Sequence, residues 1–369
     1  MKIALVVGAR PNFMKVAPVL TALRKDRGVD ALLIHTGQHY DDNMSDVFFR
    51  ELGLPDPDAH LGVGSGSHAQ QTARLLCEIE TMLLRERPEL VVVAGDVNST
   101  LAAALVATKM LIPVAHIEAG LRSHDWTMPE EVNRVLTDRM SRLLFTPSRD
   151  ADANLLKEGI DPRRIHFTGN AMIDTLNALL PAARGSRVRE RLGLAGAKYA
   201  LVTAHRPSNV DEAGSLRELI DALAQVSTRL PVIFPVHPRT RARLAADDRS
   251  REELAHARDL RLIEPVGYVD FLSLMSSATV VLTDSGGIQE ETTALGVPCL
   301  TLRENTERPI TIERGTNVLV GSDPKRIVSE VDAVLRGDAK RGSLPELWDG
   351  HAGDRIARAV VELCRTPGE

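Results

Sequence analysis

The chain has 369 residues and a formal net charge of -5, and 43% of its residues are hydrophobic while 26% are charged. These values are typical of a folded protein of about two domains, and they exclude a disordered chain. The mild acidic excess also argues against a general nucleic-acid-binding protein, which usually carries an excess of basic residues.

The first half of the chain alternates between short apolar runs and amphipathic helical patterns. The runs predict buried strands at Ile3–Val7, Ala31–His35, Leu90–Ala94, Val114–Ile117 and Leu143–Thr146. Because their hydrophobicity is continuous instead of alternating, they favour a parallel sheet that is covered on both faces. Between two of them, Gln71–Leu84 places its apolar residues at helical spacing.

The same alternation begins again after Gly169. Strands are predicted at Ala200–Thr203, Val232–Val236, Leu260–Ile263, Val280–Thr283 and Cys299–Leu302, and a helix at Ser215–Thr228. The sequence therefore predicts two doubly wound α/β domains, joined by a hinge within residues 168–185. The pattern of the last helix, Asp354–Arg365, assigns it to neither domain.

Signals for export, membrane insertion and cross-linking are absent from the sequence. No apolar run approaches the roughly 20 residues of a membrane span, so we expect no membrane association and a cytoplasmic location. Cys77, Cys299 and Cys364 occur at scattered positions without a CxxC spacing, and no disulfide or structural zinc is expected.

Polar residues follow the ends of several predicted strands, where open parallel sheets bind their ligands. Ser285-Gly286-Gly287 comes between a strand and a helix, which is typical of an anion site at a helix N-terminus but also of a tight turn without a ligand. Gly8 with Arg10 and Lys15 forms a similar turn. Neither is a GxGxxG or GxxxxGK[ST] motif, so NAD binding and P-loop hydrolysis are disfavoured.

Carboxylates also follow strands, at Asp96 and at Glu118 beside His116, and Glu130 and Glu131 open a helix over Glu130–Met140. Such groups can exchange protons if their environments separate their pKa values. Alternatively, Asp96 caps a helix that begins near Ser99, and the two glutamates only favour a helix N-terminus. No HxH, DxD or HExxH spacing indicates a metal.

Nine blocks together resemble one known family, the non-hydrolysing UDP-N-acetylglucosamine 2-epimerases. They are Gly8–Pro11, Thr36–His39, Gly95–Ser99, His116–Arg122, Pro129–Arg134, Thr203–Arg206, Pro235–Pro238, Thr283–Glu291 and Thr306–Pro309. The resemblance covers roughly residues 2–365 in the family's order.

The resemblance implies a GT-B architecture, in which two Rossmann-like domains face a cleft and the molecule is a homodimer. The N-terminal domain would comprise residues 1–170 with the C-terminal helix 353–369, and the UDP-binding domain residues 171–352. It implies elimination of UDP from UDP-GlcNAc to a 2-acetamidoglucal, followed by re-addition to give UDP-ManNAc. No cofactor or metal would be required, and the product would serve cell-envelope polysaccharide synthesis.

The same resemblance assigns residues to roles. The catalytic set would be Lys15, Asp96, Glu118, Glu130 and His205. Substrate would be bound by Arg10, Arg134, His237, Phe271, Ser285, Gly286, Gly287, Glu291 and Arg308. Within these sets, Lys15, Arg10 and His205 would stabilise the departing UDP, Glu291 would hold the ribose, and Phe271 would contact the uracil. Glu130 is preferred to Glu131 because it follows the proline of the motif directly.

Other functions stay open at this point. The stretch after Tyr40 is similar to the branch acting on UDP-2,3-diacetamido-glucuronate, although no cation for that sugar's C6 carboxylate is identified. A hydrolysing epimerase that releases ManNAc and UDP, or a glycosyltransferase, would use the same fold. A UDP-sugar sensor without catalysis is a further alternative, which the intact Asp96, Glu118, Glu130 and His205 disfavour.

Overall fold

The structure is a computed structural model, and it describes residues 1–38, 53, 55–210 and 212–365. The residues that directly follow Tyr40 lie outside this described part, and at Arg10 the structure describes the backbone but not the side chain. The chain divides into two compact units, the first comprising Met1–Ala178 with Glu346–Glu369 and the second Leu179–Pro345. None of the helices in the described stretches combines the length and the apolar character needed to cross a membrane.

The first unit is built on a parallel sheet of Rossmann strand order, β3-β2-β1-β4-β5-β6-β7. Its strands are β1 (Lys2–Val7), β2 (Asp30–His35), β3 (Ala59–His60), β4 (Leu90–Ala94), β5 (Val114–Ile117), β6 (Leu143–Thr146) and β7 (Ile165–Phe167). The five strands predicted from apolar runs are confirmed to within one residue. Two strands, β3 and β7, were not predicted, because they have only two and three residues and give no run long enough to recognise.

Helices cover both faces of this sheet. They are α1 (Arg10–Leu23), α2 (His68–Glu86), α3 (Asn98–Lys109), α4 (Pro129–Met140), α5 (Arg149–Lys157), α6 (Ala171–Gly185) and, at the end of the chain, α16 (Ala352–Arg365). The start of α16 lies against α1, since a Cβ atom at Gly353 would be 2.8 Å from the Pro18 backbone. Asp174 of α6 accepts hydrogen bonds from the N–H groups of Ala352 and Gly353, which fixes this last helix in the first unit.

The second unit repeats the same plan. Its parallel sheet has the order β10-β9-β8-β11-β12-β13, with β8 (Ala200–Thr203), β9 (Val232–Pro235), β10 (Leu260–Ile263), β11 (Val280–Thr283), β12 (Cys299–Thr301) and β13 (Asn317–Leu319). The five predicted strands are confirmed, two of them ending one residue earlier than predicted, and the three-residue β13 was not predicted. The predicted α/β class with two doubly wound sheets is thus confirmed.

The helices of the second unit begin at α7 (Val188–Arg191) and α8 (Pro207–Val210). They continue with α9 (Ala213–Ser227), α10 (Pro238–Ala246), α11 (Asp248–His256), α12 (Tyr268–Ser276), α13 (Gly286–Leu295), α14 (Pro309–Glu313) and α15 (Pro324–Arg336). One large buried cluster between these helices and the sheet is almost entirely aliphatic, with Phe234 as its aromatic member.

Each sheet reverses its strand order at one place, between β1 and β4 in the first unit and between β8 and β11 in the second. At such a point the chain leaves the two neighbouring strands toward opposite faces, and a crevice opens at their carboxyl ends. Two ligand-binding edges are therefore expected, one in each unit.

Candidate active site

The end of β1 is a tight loop held by Asn12 of α1. The Asn12 Oδ1 accepts hydrogen bonds from the N–H groups of Gly8, at 3.3 Å, and Ala9, at 3.0 Å. Its Nδ2 donates to the carbonyl of Ala94 at 2.7 Å, which ties the end of β1 to the end of β4. A Cβ atom at Gly8 would lie 2.3 Å from the Ser99 Oγ, so the glycine lets the start of α3 approach the loop.

Lys15 and Glu118 form a buried ion pair at this edge of the first sheet. Lys15 lies on α1 and is 6% exposed, and Glu118 follows β5 and is 8% exposed. The Lys15 ammonium donates to the Glu118 Oε2. Removing either partner would leave the other charge buried without its counter-ion, which is costly. A carboxylate and a cation are therefore held together where β1, β4 and β5 end.

The backbone of Glu118 is strained. Its φ is 70°, in the left-handed region that costs a residue with a side chain of order 1–3 kcal/mol. The N–H groups of Glu118 and Ala119 both donate to the carbonyl of Phe145, at 3.1 and 3.0 Å. The conformation is thus imposed by the neighbouring strand β6, and strain of this kind is typical of positions that orient a reacting side chain.

A second carboxylate, Asp96, is paired with Arg134 of α4. The Arg134 side chain is 4% exposed and the Asp96 side chain 21% exposed. The Arg134 Nη1 also donates to the Glu131 Oε2, at 2.5 Å. Arg134 therefore binds one carboxylate that is partly open to solvent and one that is buried.

The two adjacent glutamates that open α4 have different surroundings. Glu131 is 1% exposed, and its carboxylate accepts hydrogen bonds from the N–H groups of Ser123 and His124. Burial opposes its ionisation, but these bonds and Arg134 outweigh it and hold the pKa of Glu131 below its usual value. Glu130 is exposed and makes no hydrogen bond or ion pair within the described part of the chain. Glu131 therefore anchors the preceding loop, whereas Glu130 is accessible.

In the second unit, His205 and Asp284 lie at the ends of β8 and β11. The His205 Nδ1 is 2.9 Å from the Asp284 Oδ1, and the ring is 62% exposed while the carboxylate is fully buried. Burial opposes ionisation of Asp284, but the hydrogen bond and charge of His205, with the N–H of Arg206, hold its pKa below the usual value. Asp284 thus orients an exposed imidazole whose Nε2 faces away from it.

Next to this pair, α13 begins at Gly286, with Ser285 before it and Gly287 in its first turn. A Cβ atom at Gly286 would lie 2.2 Å from the Arg308 Nη1, so the glycine lets that guanidinium approach the start of the helix. Unbonded N–H groups and the positive end of the dipole favour anions at a helix N-terminus. A cation and a helix N-terminus therefore coincide at this point.

Three arginines surround the carboxylate of Glu307. Its oxygens lie 2.6 Å from the Arg308 Nη1, 2.8 Å from the Arg303 Nη1 and 3.5 Å from the Arg206 Nη2. Burial lowers the pKa of Arg303, and Arg206 and Arg308 contribute in the same direction. Glu290 adds a second ion pair with Arg308, at 3.1 Å. Cations thus outnumber carboxylates here, which favours binding of an anion.

The remaining residues singled out in the second unit lie around α12 and β9. The Tyr268 hydroxyl donates to the Glu291 Oε1 at 2.7 Å, and both side chains are buried. Phe271 lies on α12, one turn after Tyr268, and is half-buried. His237 is exposed, two residues after the end of β9. Tyr268 therefore orients the glutamate that the resemblance assigns to a ribose.

The structure brings together most of the residues singled out in the sequence, in two separate sets. The first unit joins Lys15 to Glu118 and Arg134 to Asp96, and the second places His205 beside the start of α13. The described residues contain no group of three or more histidine, cysteine or acidic side chains that could hold a metal ion.

Four groups that hold these sets in place have no role assigned from the sequence, namely Glu131, Tyr268, Asp284 and Glu307. A signal existed for Asp284, since it follows one predicted strand directly and His205 follows another. Strand order would have made them neighbours, because β8 pairs with β11 in the sheet.

Comparison with known proteins gives a consistent result. The profile of the UDP-N-acetylglucosamine 2-epimerase family matches residues 21–361. The UDP-N-acetylglucosamine 2-epimerase of Methanocaldococcus jannaschii is 44% identical over 98% of this chain and 99% of its own length. A crystal structure of the enzyme from that organism, in complex with UDP-GlcNAc and UDP, superposes with a TM-score of 0.90, covering 98% of this chain and 100% of the other. The UDP-2,3-diacetamido-2,3-dideoxy-D-glucuronate 2-epimerase of Pseudomonas aeruginosa is 41% identical over 98% of this chain and 100% of its own.

Proposed function

The chain belongs to the UDP-N-acetylglucosamine 2-epimerase family, and we propose that it interconverts UDP-GlcNAc and UDP-ManNAc. The observation that carries this proposal is the pair of carboxylates at the end of the first sheet, each with its own cation: Glu118 with Lys15, and Asp96 with Arg134. Similarity over the full length of an enzyme named for this reaction supports the same conclusion.

The chemistry explains why several acid–base groups are required. A base removes the proton from C2, the electron pair forms the C1–C2 double bond, and the C1–O bond breaks with its electrons leaving on UDP. In the reverse step, UDP oxygen attacks C1 and a proton is added to C2. A group that acts on one face alone would restore the starting configuration, so inversion requires a second proton donor on the opposite face. Asp96, Glu118 and Glu130 are the candidates, and no net oxidation occurs.

The second unit supplies what the leaving group requires. Negative charge grows on the UDP oxygen as the C1–O bond breaks, and donors aimed at that atom stabilise the transition state selectively. His205, oriented by Asp284, would provide such a donor through its exposed Nε2. The family resemblance assigns the same role to Lys15 and Arg10 of the first unit. Ser285, Gly286, Gly287 and Arg308 would bind the diphosphate.

The nucleoside would be bound by the residues around α12. Glu291, held by Tyr268 at 2.7 Å, would accept hydrogen bonds from the ribose hydroxyls, and Phe271 would contact the uracil. His237 would complete the nucleotide site after β9. With few aromatic residues in the chain, 3% of the total, binding would depend mainly on charges and hydrogen bonds.

The family resemblance supports three further parts of the proposal: a homodimer, a cytoplasmic location, and a role in cell-envelope polysaccharide synthesis. The first is tested by light scattering of the purified chain, in which a mass of about twice 40.2 kDa is expected. A monomeric mass would remove the homodimer from the proposal.

A second candidate substrate is UDP-2,3-diacetamido-glucuronate. The Pseudomonas aeruginosa relative, which is 41% identical to this chain, is named for that sugar nucleotide. Product analysis by NMR separates the two. Incubation with UDP-GlcNAc is expected to give UDP-ManNAc and little free UDP. Turnover of the diacetamido sugar alone would move the function to the second candidate, and free ManNAc with UDP as main products would indicate a hydrolysing epimerase. Nucleotide binding without any turnover would indicate a sensor.

A further inference from the structure

His116 is a fully buried histidine in β5, and both of its ring nitrogens lie close to acceptor atoms. Its Nδ1 is 2.6 Å from the Asp138 Oδ1, and its Nε2 is 2.8 Å from the carbonyl oxygen of Gly95. A carbonyl oxygen can only accept a hydrogen bond, and a neutral imidazole has only one N–H. A neutral ring would therefore leave a lone pair against an acceptor, unless Asp138 carried the proton.

The surroundings of Asp138 hold it in the ionised form. Its other oxygen accepts a hydrogen bond from the Gly120 N–H at 3.1 Å and lies 2.7 Å from the Arg122 Nη1. A guanidinium and a backbone N–H can only donate hydrogen bonds, so both partners require this oxygen to accept, and the positive charge of Arg122 favours the carboxylate over the carboxylic acid. With Asp138 a carboxylate, both partners of His116 are acceptors, and both ring nitrogens must donate.

The charges around the ring also favour an imidazolium. The charged groups linked to His116 and its partner include Asp138, Arg122, Glu158, Arg164 and Arg139, the last of which donates to the Glu158 carbonyl. Arg122 donates to both oxygens of Glu158, at 2.7 and 2.8 Å, and Arg164 donates to the backbone carbonyl of Asp138 at 3.2 Å. Glu158, Arg122 and Asp138 form a row of charges that alternate between negative and positive, and a protonated His116 would add a positive charge at its end. With a neutral ring, this row would contain two carboxylates and only one guanidinium.

We propose that His116 is a positioning residue, that both of its ring nitrogens donate hydrogen bonds, and that it fixes the two segments carrying Asp96 and Glu118. The inference rests on the proposed function for the meaning of those two carboxylates, although the protonation of His116 does not. His116 holds the carbonyl of Gly95, the residue before Asp96, while the Gly95 N–H donates to the Ile117 carbonyl at 3.0 Å. Gly95 is thus bound to β5 through both its N–H and its carbonyl group.

The partner of His116 fixes the second segment. Asp138 accepts from the N–H of Gly120, two residues after the strained Glu118, and so holds the turn that aims Glu118 at Lys15. Asp138 also lies one turn along α4 from Arg134, which binds Asp96. One buried network therefore sets both reacting carboxylates, and loss of the His116 charge would disturb them together.

Neutron crystallography of the unmodified chain tests the protonation directly, without any need for turnover. We expect deuterium on both the Nδ1 and the Nε2 of His116 and none on the Asp138 carboxylate. A bare nitrogen on the ring, or a deuteron on Asp138 in place of one on Nδ1, would overturn the inference. This outcome does not depend on which sugar nucleotide the chain converts, so its failure is distinct from failure of the proposed function.

The positioning role is tested with His116→Gln, which removes the charge. We expect kcat to fall about 100-fold, the scale of a small misplacement of reacting groups, with little change in KM and with an altered pH profile of kcat. His166→Gln is the matched control, since His166 is a half-buried histidine on β7 outside the site, and it should keep the normal profile. A His116→Gln variant that loses stability but keeps the kcat and pH profile of the unmodified chain would contradict the role.

Discussion

Asp284 accepts hydrogen bonds from both the ring Nδ1 and the backbone N–H of His205, the ring contact being 2.9 Å long. Because the carboxylate is buried and ionised, the Nδ1 must carry a proton, and the Nε2 is left facing solvent. This relationship resembles the way in which a buried aspartate orients a catalytic histidine in hydrolases. It gives His205 a defined orientation before any ligand binds.

Asp284→Asn should lower kcat by about 100-fold or more, the usual contribution of a correctly oriented acid or base. The amide can present its N–H to the ring and thereby reverse the tautomer of His205. Steady-state kinetics with UDP-GlcNAc, with thermal unfolding as a check on folding, measures the effect. Asp332→Asn, which removes a surface ion pair with Arg229, is the control. Turnover by Asp284→Asn within a few-fold of the control would contradict the proposed orientation.

Glu130→Gln should lower activity without a loss of stability, whereas Glu131→Gln should lower the stability of the chain. Glu130 is exposed, so its substitution should leave the free energy of unfolding within about 0.5 kcal/mol while lowering kcat about 100-fold. Glu131 binds Arg134 and two backbone N–H groups, so its substitution should cost about 1–3 kcal/mol of stability. Denaturant unfolding and kinetics on both variants measure this. A stable but inactive Glu131→Gln beside an active Glu130→Gln would assign the acid–base role to Glu131.

Lys15→Met should destabilise the chain by about 3–5 kcal/mol, because it leaves Glu118 buried without its cation. Glu118→Gln should likewise be costly. The double variant should lose much less stability than the sum of the losses in the two single variants, because neither of its side chains is a buried charge without a counter-ion. A double-mutant cycle of unfolding free energies measures the coupling. Additive losses would show that the two charges are not energetically paired.

His35 should make stability depend on pH in weakly acidic solution. Burial, with a contribution from His60, lowers the pKa of His35 from 6.5 to about 4. Between these values the unfolded chain binds a proton that the folded chain does not, so stability falls as the pH is lowered through this window, by about 3 kcal/mol at most. His35→Asn should show a shallower pH dependence of the unfolding free energy than the unmodified chain. Equal slopes would mean that His35 is not the group responsible.

The sequence was most informative about the strands and their ends. Continuous apolar runs such as Leu90–Ala94 and Val280–Thr283 are confirmed as buried parallel strands, because only a sheet covered on both faces hides such a run. The polar residues after them necessarily gather at the carboxyl edge of the sheet. This is why Asp96, Glu118 and His205 could be singled out from the sequence.

What the sequence could not predict is which neighbouring side chain turns inward. Glu130 and Glu131 are adjacent and chemically identical, yet they lie about 100° apart around the axis of α4, and only Glu131 reaches Arg134. The imidazole of His116 could equally have been a neutral core residue by its pattern. Its charge follows only from the positions of Gly95 and Asp138, which are 21 and 22 residues away in the sequence.

The proposed reaction removes and returns the C2 proton of UDP-GlcNAc through elimination of UDP. Incubation with UDP-GlcNAc in D₂O, followed by NMR of the products, tests it most directly, with Asp96→Asn as the inactive control. We expect UDP-ManNAc that carries deuterium at C2, little free UDP, and neither product nor exchange in the control. UDP-ManNAc that retains its original hydrogen at C2 would contradict the elimination mechanism.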